Sequence, residues 1–299
     1  MSSIIDDIRS QFKTGSMTTR LITVNAAVFV IITILHLISR NASPLVANQL
    51  NLFVYNFFSL ITTPNGLLTH PWGLITSIFS HFTFMHFAVN MLLLYSIGRL
   101  FESYLGGKKL LATYILGGIA GNLLEFICHT FGFSGGTNVI GASGAVFAVI
   151  FATAAYVPKF QVSLFGLITI ELRTLAILLL VINILSIGTN NGTAYFAHIG
   201  GAIFGYLAIR NIGSSSNLIT RVGNWLGNIS FKRKPKSKIK IVKGDYKANA
   251  ATMKDEDYNA AKKKHQERTN VILDKISKSG YESLTKEEKD FLFQQSNNA

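Results

Sequence analysis

Charge is scarce in this chain. Only 14% of its 299 residues are Asp, Glu, Lys or Arg, against about a quarter in an ordinary soluble domain. There is one cysteine, Cys128, which excludes an internal disulfide framework and any multi-cysteine zinc or iron–sulfur site. What is plentiful is apolar: 49% of residues are hydrophobic, and the net charge is +13. Length alone suggests about two soluble domains, but the composition is too greasy for a cytosolic enzyme.

The placement of charge says what the chain is instead. From Leu21 to Ile209 the charged residues are Arg40, Arg99, Glu102, Lys108, Lys109, Glu125, Lys159, Glu171 and Arg173 alone. Long apolar stretches with charge confined to the gaps mark a polytopic membrane protein. The polar first twenty residues lead into an apolar run too long, and lacking a small-residue cleavage site, to be a removable signal. Six spans are expected: Leu21–Ile38, Gly73–Ile97, Leu110–His129, Gly141–Val157, Leu172–Gly188 and Ala194–Ile209. The aromatic segment Leu45–Ile61 is interrupted by Asn48, Gln49, Asn51 and Asn56, which suits an interfacial or re-entrant element better than a further span. With both ends in the cytoplasm, the inner loops carry Arg99, Lys108, Lys109, Lys159 and Arg173, and the outer loops carry Arg40. That asymmetry follows the positive-inside rule.

These readings divide the chain into a cytoplasmic segment 1–20, an all-α membrane domain 21–212 and a cytoplasmic tail 213–299. The tail's basic run Phe231–Lys243 reads as a juxtamembrane anchor on anionic lipid, gaining about 1 kcal/mol per basic residue; nucleic acid is not expected as a partner. Beyond Asp255, apolar Val271, Ile272, Ile276, Phe291 and Leu292 flank Gly280 and suggest a small helical module. Its second helix is expected to start near Ser283-x-x-Lys286-Glu287.

Polar groups inside spans are costly and are therefore candidates for function. His81 and His86 lie five apart in the second span, and Asn90 shares the face of His86. A zincin metal pair uses a spacing of about four with a neighbouring Glu; that pattern is missing, so no metal is expected. Gly141-x-Ser143-Gly144 opens the fourth span. Ser143 to Val157 covers about 22 Å at ~1.5 Å per residue, short of a ~30 Å hydrocarbon core. Ser143 should therefore sit below the outer surface, at a helix start whose free N–H groups suit an oxyanion hole. In the sixth span His198, Gly201 and Gly205 share one face. If that face met the small-residue stripe Ala145, Ala148, Ala152 and Ala155, His198 would come within reach of Ser143, as a nucleophile and its base require.

The ordered set His81-x4-His86-x3-Asn90, Gly141-x-Ser143-Gly144 and Ala197-His198-x-x-Gly201-x3-Gly205 resembles the rhomboid intramembrane serine proteases of the bacterial six-span type. The resemblance covers Leu21 to Arg210 and implies a serine endopeptidase of the inner membrane, without cofactor. Ser143 would be nucleophile and His198 base, in a dyad. His86, Asn90 and the Ser143 N–H would hold the oxyanion, and Gly141 would let the loop approach the substrate. His81, Glu102, Gly201 and Gly205 would be structural, and Phe53–Ile61 would form a membrane-inserted first loop. Substrates would be transmembrane helices that unwind near their outer ends at small or helix-destabilising residues. Many family members carry Trp-Arg near the end of that loop, where this chain has Trp72-Gly73; how the loop is anchored is therefore open. Glu125 has no family role, and Asn122 and His129 are its candidate partners.

Two other functions compete. A catalytically silent relative would bind membrane helices without cutting them, although Ser143 and His198 are both present. A small transporter or channel would use His81, His86 and His198 as a proton path. A soluble serine hydrolase is excluded, because no nucleophile elbow follows a strand pattern.

Overall fold

Ser16 starts the membrane part of the chain. In the computed structural model, which describes residues 15–135, 138–164, 168–189, 193–229 and 255–296, the Ser16 hydroxyl accepts from the Thr19 N–H and caps helix α1, Met17–Asn41. A helix start leaves about four N–H groups without intrahelical partners. Those of Met17 and Thr18 donate to the Glu102 carboxylate at 2.7 and 2.9 Å, and the Thr18 hydroxyl adds a bond at 2.7 Å. Glu102 thus pins the start of one helix to the end of another. Hydrogen bonds to a charged group are worth ~1.5–3 kcal/mol each, and water replaces part of them at this half-buried end. Glu102→Ala is expected to cost about 2–3 kcal/mol, measured by chemical unfolding of the purified protein in detergent.

The chain continues through α2 (Pro44–Phe58), β1 (Leu60–Ile61), the short helices α3 (Pro64–Thr69) and α4 (Gly73–Thr76), a 3-10 turn (Ser77–Phe79) and α5 (Phe84–Leu105). Then come α6 (Gly107–Thr130), β2 (Asn138–Val139), α7 (Ser143–Tyr156), the hairpin β3 (Gln161–Leu164) and β4 (Ile168–Glu171), α8 (Leu172–Leu185), α9 (Tyr195–Ala208) and α10 (Leu218–Ile229). Among the described residues, α1, α5 and α6 are long and apolar enough to cross a membrane; α7, α8 and α9 are shorter apolar helices. With its rhythm of apolar helices, this is a multi-pass membrane protein.

The expected second span, Gly73–Ile97, is not one helix. It breaks after Phe79, and Ser80 to Thr83 lie outside any helix. His81 therefore stands before α5, not on it. The short turn before the break has its polar groups served from α6, as backbone leaving a helix at membrane depth requires. Tyr114 donates to the Ile78 carbonyl at 2.8 Å. Asn122 donates to the Leu74 carbonyl at 3.0 Å and the Ser77 hydroxyl at 2.8 Å. Thr83 then caps α5 by accepting from the His86 N–H.

Leu45–Ile61 is mostly helix α2, with Phe53, Tyr55 and Phe57 exposed on its surface. Its C-terminal carbonyls are held without arginine: the Trp72 indole N–H donates to Asn56 at 3.1 Å and the Thr76 hydroxyl to Phe57 at 2.6 Å.

Helix α7 lies at the centre, buried continuously from Gly144 to Ile150. Helices α6 and α9 pack on it through glycines. A Cβ at Gly201 would overlap the Gly144 carbonyl oxygen, one at Gly205 the Ala148 carbonyl oxygen, and one at Gly117 the Ala148 side chain. The face of α7 that meets α9 is therefore Gly144 and Ala148; Ala145 turns instead toward Gly118 of α6.

The chain divides into two compact units, Met1–Phe231 and Lys232–Ala299, so α10 falls within the first. In the second, α11 (Asp255–Ser279) and α12 (Lys286–Ser296) flank a 3-10 turn at Tyr281–Ser283. Helix α12 opens on Thr285, not Ser283. The Glu288 N–H donates to the Thr285 hydroxyl, and the Thr285 N–H donates back to the Glu288 carboxylate at 2.7 Å, a capping box. Lys275 also binds Glu288 at 2.8 Å; that bond and the Thr285 N–H hold its carboxyl below the usual carboxylate range. The basic run Phe231–Lys243 lies outside the described residues.

Candidate active site

Two strands of two residues each deliver the central segment. β1 pairs antiparallel with β2, Leu60 opposite Val139 and Ile61 opposite Asn138. The chain then drops into the bundle, and the Gly141 N–H donates to the Ser77 carbonyl at 3.0 Å. Gly141 has φ +135°, and a Cβ there would lie 2.6 Å from Cε1 and 2.8 Å from Nε2 of His86. Glycine is needed on both counts: the backbone angle disfavours a side chain, and the His86 ring occupies its place. A Cβ there would also lie 3.6 Å from the Ser143 Oγ, so His86 and Ser143 share this corner.

Ser143 is the first residue of α7. Its Oγ is 2.6 Å from Nε2 of His198 on α9. The glycine contacts between α7 and α9 set that distance, since Gly201 lies one turn beyond His198 on the same face. The Phe147 ring, one turn after Ser143, stacks on the imidazole at 4.6 Å and 8°. Nδ1 of His198 is 2.6 Å from the Asn183 Oδ1 on α8. Serine hydroxyl, imidazole and amide form a continuous hydrogen-bonded row. Chemically, such a row can deprotonate a hydroxyl as it attacks a carbonyl.

The remaining sequence candidates fall around it. Asn90 is buried on α5 and donates one N–H to the His86 carbonyl at 2.8 Å; an amide NH2 has a second N–H to offer. His81 is fully buried and packs edge-on against the rings of His86 at 5.1 Å and Phe87 at 5.5 Å. Gly201 and Gly205 line the α7–α9 contact, and Glu102 stands apart at the foot of α1. Among the described residues, no group of three or more His, Cys, Asp or Glu side chains is placed to share a metal ion.

Glu125 pairs with neither Asn122 nor His129. Its carboxylate accepts from the Ser134 hydroxyl and, at 3.0 Å, from the Ala197 N–H. It thereby caps the first turn of the helix that carries His198, where negative charge is also favoured by the helix dipole. A cavity of about 340 Å³ lies beside it, bordered by Ser134, Asn138, Thr189 and Tyr195. Asn183 is the neighbour that the motifs leave out. Its signal in the sequence is a single amide in the otherwise apolar run Leu175–Leu185, which a membrane span tolerates only with a partner.

Known proteins share this part of the chain. Residues 68–214 match the model of the Rhomboid domain, and residues 252–298 match a family of unknown function, DUF6576. Rhomboid-like protease 3 of Toxoplasma gondii is 33% identical over 138 residues, 45% of this chain and 49% of that protein. Rhomboid protease GluP of Bacillus subtilis is 31% identical over 145 residues, 48% of this chain and 26% of that protein. The mitochondrial presenilin-associated rhomboid-like protein of Rattus norvegicus is 30% identical over 135 residues, 44% of this chain and 36% of that protein. The matched stretch thus spans half or less of each of these relatives.

Proposed function

The chain is a rhomboid-family membrane protein, and from that premise we propose that it is an intramembrane serine endopeptidase acting through Ser143 and His198. The observation that carries this reading is the 2.6 Å hydrogen bond between the Ser143 hydroxyl and the His198 imidazole. The names of two relatives, each called a protease, point the same way.

In the proposed reaction the Ser143 Oγ attacks the carbonyl carbon of a peptide bond while its proton passes to Nε2 of His198. The carbonyl oxygen becomes an oxyanion. The Ser143 N–H at the start of α7, with His86 and Asn90, would donate to it. One preorganised donor is worth ~2.7–4 kcal/mol in a site from which water is excluded. The imidazolium then gives its proton to the leaving amine, an acyl ester remains on Ser143, and water assisted by His198 hydrolyses it. The 14 residues of α7 cover about 21 Å, less than a ~30 Å core. Ser143 would then lie recessed from the outer surface, at the depth of a substrate helix end.

We place both termini in the cytoplasm, read α7, α8 and α9 as completing six membrane crossings, and read the membrane as a bacterial inner membrane. Substrates would be single transmembrane helices cut near their outer ends, and the basic stretch after α10 would meet anionic lipid. The test is cleavage of a single-span substrate in proteoliposomes, with the product mass locating the cut. A cut within a few residues of the outer end, blocked by prior reaction with a fluorophosphonate, is the expected result. Intact substrate across several sequences, with no fluorophosphonate adduct on Ser143, would leave the silent helix-binding reading.

A further inference from the structure

We propose that Asn183 is a positioning residue for the reaction, fixing which nitrogen of His198 carries the proton. This rests on the serine endopeptidase reading above. The amide of Asn183 faces two partners. On one side, its Nδ2 is 3.1 Å from the Tyr195 carbonyl oxygen. A carbonyl can only accept, so the NH2 end must point there. The oxygen end is therefore turned to His198, 2.6 Å from Nδ1. That oxygen can only accept in turn, so Nδ1 is the nitrogen that carries hydrogen in the neutral ring. Nε2 is left with its lone pair directed at the Ser143 hydroxyl, 2.6 Å away. This is the tautomer a general base needs, and it follows from one backbone carbonyl in the first turn of α9, the helix that carries His198.

The surroundings fit a positioning role. Asn183 is buried while its neighbours Ile182, Ile184 and Leu185 are exposed, so the amide is the inward-facing group of an otherwise outward-facing stretch of α8. Phe147 holds the imidazole by stacking on one face, but a stack is equally compatible with the ring turned over by about 180° around its Cβ–Cγ bond and says nothing of the tautomer. The Asn183 oxygen removes both freedoms. When Nε2 takes the serine proton, the same oxygen continues to accept from Nδ1 and stabilises the imidazolium. No proton moves to Asn183 at any step.

The experiment compares Asn183→Leu and Asn183→Asp with the parent protein in proteoliposomes. Rates are expressed per active site, counted from fluorophosphonate adduct at long incubation. Leucine removes both hydrogen bonds. Aspartate keeps an acceptor for Nδ1–H but loses the donor to Tyr195. General-base catalysis contributes ~10²–10⁴-fold, so the leucine variant is expected to lose about 10²-fold in kcat with KM within about twofold, because substrate does not touch this amide. The aspartate variant is expected to recover most of that loss. If both variants fall together, the amide acts as a staple to Tyr195 and the proposal is overturned. If the leucine variant turns over like the parent, it is overturned as well. Should the leucine variant fail to fold, parent-like kcat in the aspartate variant supports the proposal and a 10²-fold loss there overturns it. A parent protein whose cleavage does not depend on Ser143 overturns the endopeptidase reading itself, a result distinct from either variant outcome.

Discussion

Ser143→Ala is expected to remove all detectable cleavage. Loss of a serine nucleophile that works with a histidine base costs on the order of 10⁶-fold in rate, which takes cleavage below any practical assay. The substitution deletes one oxygen from a half-buried side chain at the first turn of α7, so the bundle should melt within about 1 kcal/mol of the parent. His198→Ala should be nearly as inactive, and the double variant no worse than either, because residues that act as a unit are not additive. The measurement is product formation by mass spectrometry in proteoliposomes, beside thermal unfolding of each variant. Cleavage that survives either single substitution would mean that Ser143 and His198 are not the reacting pair, despite the hydrogen bond between them.

Gly201→Val should damage stability and turnover together. A Cβ at Gly201 already overlaps the Gly144 carbonyl oxygen, and valine adds two methyl groups at the same place. The helices α7 and α9 must separate, at a cost of about 3 kcal/mol, the upper end of the usual range for an overfilled contact. The same movement draws His198 away from Ser143, because Gly144 adjoins the serine and Gly201 lies one turn beyond the histidine. A misplacement of about 1 Å can cost 10²-fold in rate. Turnover per folded molecule and the unfolding midpoint are both measured. Ile203→Val is the control, since Ile203 is 52% exposed on the outer side of α9 and should be near neutral. A Gly201→Val protein with parent-like turnover and midpoint would show that the contact between α7 and α9 yields more readily than its geometry implies.

Much of the site was legible along the chain. Ser143, His198, His86 and Gly141 stand out as small or polar residues at fixed spacing in apolar stretches, and the structure brings those four to one corner. Hydropathy joins Gly73–Phe79 to α5 as one span because it measures apolar content, not hydrogen bonding. Gly73–Phe79 and Phe84–Leu105 are both apolar, yet the chain between them is not helical. The stretch leading into that gap is held instead from α6, where Tyr114 reaches the Ile78 carbonyl and Asn122 reaches the Leu74 carbonyl and the Ser77 hydroxyl. The same helix supplies Glu125, whose partners Ser134 and Ala197 no spacing rule on α6 could name.

Composition and spacing along the chain were enough to show a membrane protein, roughly where its apolar helices lie and which polar residues stand out within them. Those properties are local: they depend on composition and on spacings of a few residues, which helix geometry converts directly into faces. Tertiary packing decided the partnerships. Met17 meets Glu102 across 85 positions, His198 meets Ser143 across 55, and Asn183 turns its oxygen to His198 across 15. A buried polar group must find a partner wherever the fold offers one. Which partner it finds depends on how closely two helices approach and which faces they turn, and the glycines at positions 144, 201 and 205 set both only when α7 and α9 are in contact.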